Sequence, residues 1–228
     1  MPTELRVIPA FSTPISLVNF GDETHELNAS LISDIDNERS KTETGMGAFI
    51  GNDASWLSDY GLESKYESFK NLQEIITSAA FPAMENSGFS AEYLQNNVCL
   101  NNLWANVIFK PGGWAQPHMH GTGDEFWSGV YYPKGDTITN LDYVMKAVSI
   151  TVQESGALVL ADPAKNIKKQ VRSADSTEPQ AYPYYGANMY IKPTESLLVL
   201  FPSWVEHHVT PVTDNVVRYS ISFSINKI

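Results

Sequence analysis

The sequence is short of three things, and each shortage excludes something. It has one cysteine, Cys99, in 228 residues, so an internal disulfide, a multi-cysteine zinc site and an iron–sulfur cluster are all ruled out. Basic residues are few: 15 Lys and Arg stand against 26 Asp and Glu, a formal net charge of −11. A surface of that sign repels a phosphate backbone, which argues against nucleic acid as a main partner. Long apolar runs are missing too. Stretches such as 197–201 fall far short of the roughly 20 residues a membrane helix needs. Pro2, Pro9 and Pro14 interrupt the N-terminus, where a signal peptide would need a continuous apolar core. The expected location is a reducing cytoplasm. What is present suffices for a core: 43% of residues are hydrophobic and 11% aromatic, which suits one larger all-β or α/β domain or at most two small ones.

Two textures divide the chain. In the first ninety or so residues apolar positions recur at helical spacing, at Leu27, Leu31 and Ile35 and again at Phe69, Leu72, Ile75, Ile76 and Ala79, with Pro82 expected to stop the second helix. Between them Gly45, Gly47, Gly51 and Asp53 punctuate a segment carrying Phe49, Trp56, Leu57 and Tyr60, read as an ordered loop that packs its aromatics on something larger. From Val98 onward short β-rich runs take over, at 103–109, 126–132, 147–152, 157–160, 189–191, 197–201 and 216–225. Strands without helices between them indicate an antiparallel sandwich or barrel rather than βαβ units. The expectation is a mainly β fold in which residues 1–97 form a helical and loop scaffold packed outside a core of residues 98–228, one compact domain in all. Residues 163–185 form a polar insertion with Lys165, Lys168, Lys169 and Arg172, read as a solvated loop rather than a lid.

Four of the five histidines fall in two groups, His118 with His120 and His207 with His208, while His25 stands apart. On a strand residues i and i+2 project from one face, so His118 and His120 can aim at one point. Gly112, Gly113, Pro117, Gly121 and Gly123 surround the pair and suggest a strand end open to a cavity. Alone, the pair also fits two packed or surface histidines with no metal. A third imidazole comes from a distant place, where the apolar run 198–201 leads through Pro202 to His207. Eleven residues further on is Arg218. Alternation puts Arg218, Ser220 and Ser222 on one face of that strand and Tyr219, Ile221 and Phe223 on the other. An inward arginine needs an anion, either the carboxylate of a ligand, with Ser220 adding a donor, or an Asp or Glu of the fold.

The ordered set His118-x-His120, Ser128-Gly129-Val130-Tyr131-Tyr132, Phe201-Pro202-Ser203-Trp204-x-Glu206-His207 and Arg218-x-Ser220-Ile221-Ser222-Phe223 resembles the non-haem iron(II)- and 2-oxoglutarate-dependent oxygenases, in particular a compact bacterial and phage branch related to the prolyl hydroxylases. The resemblance runs from about Asn101 to the C-terminus. It implies a double-stranded β-helix, or jelly roll, whose open end holds iron on a His-x-Asp/Glu pair and a distal His, with an Arg and a Tyr deeper in the barrel for the distal carboxylate of 2-oxoglutarate. By that likeness His118 is the first ligand, His207 the distal one, Arg218 and Tyr132 hold the cosubstrate, and Ser220 assists. His120 stands where the widespread motif has a carboxylate, so Asp124 or Glu125 remains an alternative second ligand. Three histidines are neutral where two histidines and a carboxylate carry −1, which leaves the metal a stronger Lewis acid.

The cofactors so implied are Fe(II) and 2-oxoglutarate. The reaction implied is hydroxylation of a C–H bond in a peptide or small molecule. Trp104, Asn106, Trp114, Phe126 and Trp127 are either pocket walls or plain core. Gly112, His118, His120, Glu125, Pro202 and His207 also resemble the metal-binding motifs of cupins, a reading that leaves Arg218 and Ser220 unexplained. A catalytically silent jelly roll is the third reading.

Overall fold

The computed structural model describes residues 12–42, 45, 53–120, 123–136, 148–149, 155–164 and 188–228. Helix α1 (His25–Arg39) buries Leu31 and Ile35, and α2 (Glu67–Asn86) buries Phe69, Leu72, Ile76, Ala80 and Met84, the spacing of one amphipathic face. Pro82 does not end α2; the helix continues to Asn86. Proline removes one backbone hydrogen bond, to the carbonyl of Ser78, a residue exposed to solvent. Burial of Met84, with Phe81 and Ala83 packed beside it, holds the last turn against the cost of the proline. A third helix, α3 (Ala91–Asn97), was not expected from the pattern. Its start is capped by Ser90, whose hydroxyl accepts from the Tyr93 N–H at 3.2 Å, and Leu94 is its single buried anchor.

The strands form two antiparallel sheets. The larger has the order β1 (Ser16–Asn19), β9 (Leu197–Pro202), β5 (Glu125–Tyr132), β11 (Arg218–Lys227), β3 (Val98–Ile108) and β2 (Ser55–Leu57). The smaller has β4 (Ala115–His118), β10 (His207–Val209), β7 (Leu158–Ala161), β8 (Asn188–Ile191) and β6 (Val148–Ser149). Thus β1 and β2, from the N-terminal region, are hydrogen-bonded edge strands of the larger sheet, on β9 and β3. Of the expected strand at 147–152 only residues 148–149 are described; Gly47, Phe49, Gly51 and nearly all of the polar insertion at 163–185 lie outside the described residues.

Period-two alternation gives the larger sheet two different faces. Trp127 and Tyr131 of β5, Leu198 and Leu200 of β9 and Tyr219, Ile221, Phe223 and Ile225 of β11 share one apolar cluster with the buried residues of the three helices. The opposite face carries Val130, Tyr132, Leu197, Val199 and Phe201, which pack on Leu158, Leu160, Met189 and Ile191 of the smaller sheet. The fold is a jelly roll with its helices on the outer face. At Gly129 a Cβ would meet the Phe223 ring at 2.3 Å and the Val199 carbonyl at 2.6 Å, so only glycine lets β11 and β9 close on β5 there. Pro117 sits in β4, at the edge of its sheet, where a missing N–H is tolerated.

Candidate metal centre

Strand β10 lies between β4 and β7, and in its register with β4 His207 is directly opposite His118. Their ring centroids are 4.2 Å apart. Just past the end of β4, the His120 N–H donates to the Ser203 carbonyl at 2.9 Å, which ties His120 to the turn leading into β10. Its ring lies 5.3 Å from that of His118 and 5.1 Å from that of His207, and is stacked on the latter. One nitrogen from each of the three rings lies within 4.8 Å of the others. His208 is not part of this cluster, and His25 pairs at the surface with Glu195.

Two of the three rings are oriented by the backbone. Nδ1 of His118 is 2.8 Å from the Gln116 carbonyl, and Nδ1 of His207 is 2.9 Å from the Val205 carbonyl. A carbonyl only accepts, so each Nδ1 carries the proton and each Nε2 keeps a lone pair. Burial pulls the His118 imidazole below the usual histidine range. His207 is pulled down to about 3, first by burial and then by its neighbour His118. Both are neutral at physiological pH, the state a divalent ion requires. Three imidazoles with one nitrogen each brought this close together suit iron(II), nickel(II) or zinc(II).

Arg218 begins β11 with its side chain on the inner face, and it is 7% exposed. Its Nε donates to the Gly156 carbonyl at 2.9 Å, Nη1 to the Ser220 hydroxyl at 2.7 Å and Nη2 to the Tyr132 hydroxyl at 3.3 Å. All three acceptors are neutral, and among the described residues no carboxylate pairs with it. A guanidinium has five N–H donors, so two remain for a further acceptor. A buried cation with only neutral partners is costly, and an incoming carboxylate offsets that cost. Burial pushes the Tyr132 phenol up while Arg218 acts in the opposite direction.

A cavity of about 330 Å³ connects these groups, with His118, His120, His207, Arg218 and Ser220 all in its wall. Trp104 and Asn106 also line it, as the sequence suggested. Phe126 instead packs edge-on against Phe89 at 4.9 Å, Trp127 belongs to the helix-side core, and Trp114 is partly exposed. The sequence reading did not single out Leu57, Tyr60 or Ser128 as wall residues. Tyr60 meets Trp104 edge-on at 5.0 Å. Ser128 Oγ is buried without a hydrogen-bond partner, and its signal was only its place at an inward position of the strand that carries Val130 and Tyr132. Glu125 is not within the three-histidine cluster; its Oε2 lies 3.5 Å from Nδ1 of His120.

A jelly roll with a histidine cluster and a buried, uncompensated arginine on one cavity defines a metal-dependent class that also binds an anionic cosubstrate. The family model described as "Putative 2OG-Fe(II) oxygenase" matches residues 102–224, a span that includes the three histidines, Tyr132, Arg218 and Ser220. The chain belongs to the 2OG-Fe(II) oxygenases; it is a 2-oxoglutarate-dependent oxygenase whose cofactors are iron(II) and 2-oxoglutarate. No protein of curated function matches the sequence.

Among solved structures the chain is similar to a Pseudomonas putida prolyl-4-hydroxylase (13% identity, 95% of this chain and 94% of that one, TM-score 0.58). It is also similar to a Trichoplax adhaerens prolyl hydroxylase in complex with a hypoxia inducible factor peptide fragment (14%, 94% and 84%, 0.58). A third is HygX from Streptomyces hygroscopicus with nickel and 2-oxoglutarate bound (10%, 94% and 83%, 0.54). At such identities the likeness is one of fold. The family match spans Arg218 and Ser220, the residues the cupin reading leaves without a role. No helix among the described residues is long and apolar enough to cross a membrane.

Proposed function

We propose that the protein is a hydroxylase in which His118, His120 and His207 hold iron(II) and Arg218, with Ser220 and Tyr132, binds the distal carboxylate of 2-oxoglutarate. The observation that carries this reading is the single cavity whose wall holds both the three imidazoles and the arginine with two unspent donors. Iron and the keto acid together supply oxidising power that no side chain has. The chain's own residues position and enclose. Carbonyls of Gln116 and Val205 fix two rings, the β11 hydroxyl and the β5 phenol steer Arg218, and Leu57, Ile108, Phe201 and Trp104 give the cavity apolar walls that exclude water.

The substrate is read as a peptide side chain or a small metabolite. The Trichoplax relative was solved with a peptide and HygX with hygromycin B, so the fold serves both kinds. Residues 1–97 and 98–228 are read as one folding unit, since α1, α2 and α3 share a core with β3, β5, β9 and β11, and the cytoplasm is the proposed location. The test is succinate release from 2-oxoglutarate by the full chain supplied with iron(II). Turnover that disappears in His207→Ala and in Arg218→Met supports the proposal; iron-dependent turnover that survives both substitutions overturns it.

A further inference from the structure

His120 stands apart from the other two histidines in what lies behind its ring. His118 and His207 each direct Nδ1 at a neutral carbonyl, whereas His120 directs Nδ1 at a carboxylate, Glu125 Oε2, at 3.5 Å. That carboxylate is itself anchored. Its other oxygen, Oε1, accepts from the Ser224 hydroxyl at 2.9 Å, and Ser224, on the inward row of β11, is 1% exposed. The ring of His120 is held on its other side by Trp104, stacked with centroids 6.1 Å apart. Ser224, Glu125 and His120 thus form a line from the rigid centre of the larger sheet to the histidine cluster.

We propose that Glu125 is a positioning residue: it fixes the tautomer of His120 with Nδ1–H towards the carboxylate and Nε2 towards the metal, and supplies the negative charge that three imidazoles lack. This rests on the three-histidine reading above. With a divalent ion, three neutral ligands leave +2 at the centre. A carboxylate behind one imidazole brings the local sum to +1, the same as for two histidines and a directly bound carboxylate. The negative charge then lies behind a ligand ring rather than on the metal itself. A carboxylate so placed also raises the basicity of the ligating nitrogen.

The experiment uses the full chain stripped of metal by a chelator, with cobalt(II) as the probe, followed by calorimetry and by visible absorption. Glu125→Gln keeps the shape of the side chain and removes its charge. The expected result is cobalt affinity about 10- to 100-fold weaker, a displaced ligand-field spectrum, and an unchanged melting temperature of the metal-free protein. On iron-loaded protein the Fe(III)/Fe(II) midpoint should move to more positive potential, because the oxidised centre loses its compensating charge. Ser224→Ala, which removes the hydrogen bond to Oε1 without touching the charge, should weaken cobalt in the same direction by less, and stands in if Glu125→Gln does not fold. Wild-type affinity and spectrum in folded Glu125→Gln, or in Ser224→Ala where only that variant folds, overturn the proposal. The underlying reading fails separately, if His118→Ala, His120→Ala or His207→Ala binds cobalt like the wild type.

Discussion

Arg218→Met fills part of the same buried space with an uncharged side chain, and its consequences can be worked out from the contacts. The guanidinium uses one N–H each on Gly156, Ser220 and Tyr132 and keeps two for a ligand. Losing one partner of a buried charge pair costs about 2 to 5 kcal/mol. At about 1.4 kcal/mol per tenfold, 2-oxoglutarate should bind roughly 30- to 4,000-fold more weakly. Ligand at 100 times its Kd stabilises the folded state by about 2.7 kcal/mol. In a chain of this size that raises the melting temperature by about 5 to 11 °C. The same concentration gives Arg218→Met at most roughly 0.9 kcal/mol, or about 2 to 4 °C. Nickel(II) or zinc(II) content should not change, because Arg218 contacts none of the three histidines. Thermal shift with and without 2-oxoglutarate, with metal analysis of the same samples, decides the matter. A full-size shift in the variant, or loss of metal along with the shift, would refute the reasoning.

The remaining predictions concern the ligands, the acid response and the packing. Single replacement of His118, His120 or His207 by alanine should reduce bound metal to background on elemental analysis, while His208→Ala retains it. His118 and His207 have folded-state values below their unfolded ones, so the folded state binds fewer protons. The stability of the metal-free protein is complete above the ordinary histidine range and falls as pH drops from about 6.5 towards about 3. Each group contributes at most about 1.4 kcal/mol per pH unit, and urea titrations at several pH values read the slope. Gly129→Ala drives a methyl into Phe223 and Val199 and should cost about 1 to 3 kcal/mol or more in denaturant unfolding. Ile76→Ala, at the buried face of α2, should cost about 2 to 5 kcal/mol and lower one cooperative transition rather than splitting it in two.

The inner face of the larger sheet was legible because alternation is a strict geometric rule. Arg218, Ser220 and Ser222 line the cavity while Tyr219 and Ile221 join the helix-side core, as the period of two requires; Phe223, at a register shift of β11, belongs to that core and also reaches the cavity wall. The pairing of His118 with His207 was not legible from spacing. It depends on β10 lying beside β4, a contact across nearly ninety positions; the sequence offered His207 as a third imidazole from a distant strand but no spacing that fixes its partner. Pro82 misled because proline forbids one hydrogen bond locally while the packing of Met84 decides the outcome non-locally. Helix α3 escaped because seven residues with one buried leucine give no periodicity to read. Glu125 was visible only as a possible ligand. Its place beside His120 is set by the hydrogen bond from Ser224 on β11, which leaves no mark in the sequence around residue 125.

The most direct test of the account is a crystal structure of the protein grown with nickel(II) and 2-oxoglutarate, with the metal located by its anomalous scattering. The account predicts one ion bound by the Nε2 atoms of His118, His120 and His207 at about 2.0 to 2.2 Å, with the keto acid running from that ion to Arg218, Ser220 and Tyr132. An ion held by the Glu125 carboxylate in place of His120, or a keto acid whose distal carboxylate lies away from Arg218, would contradict it.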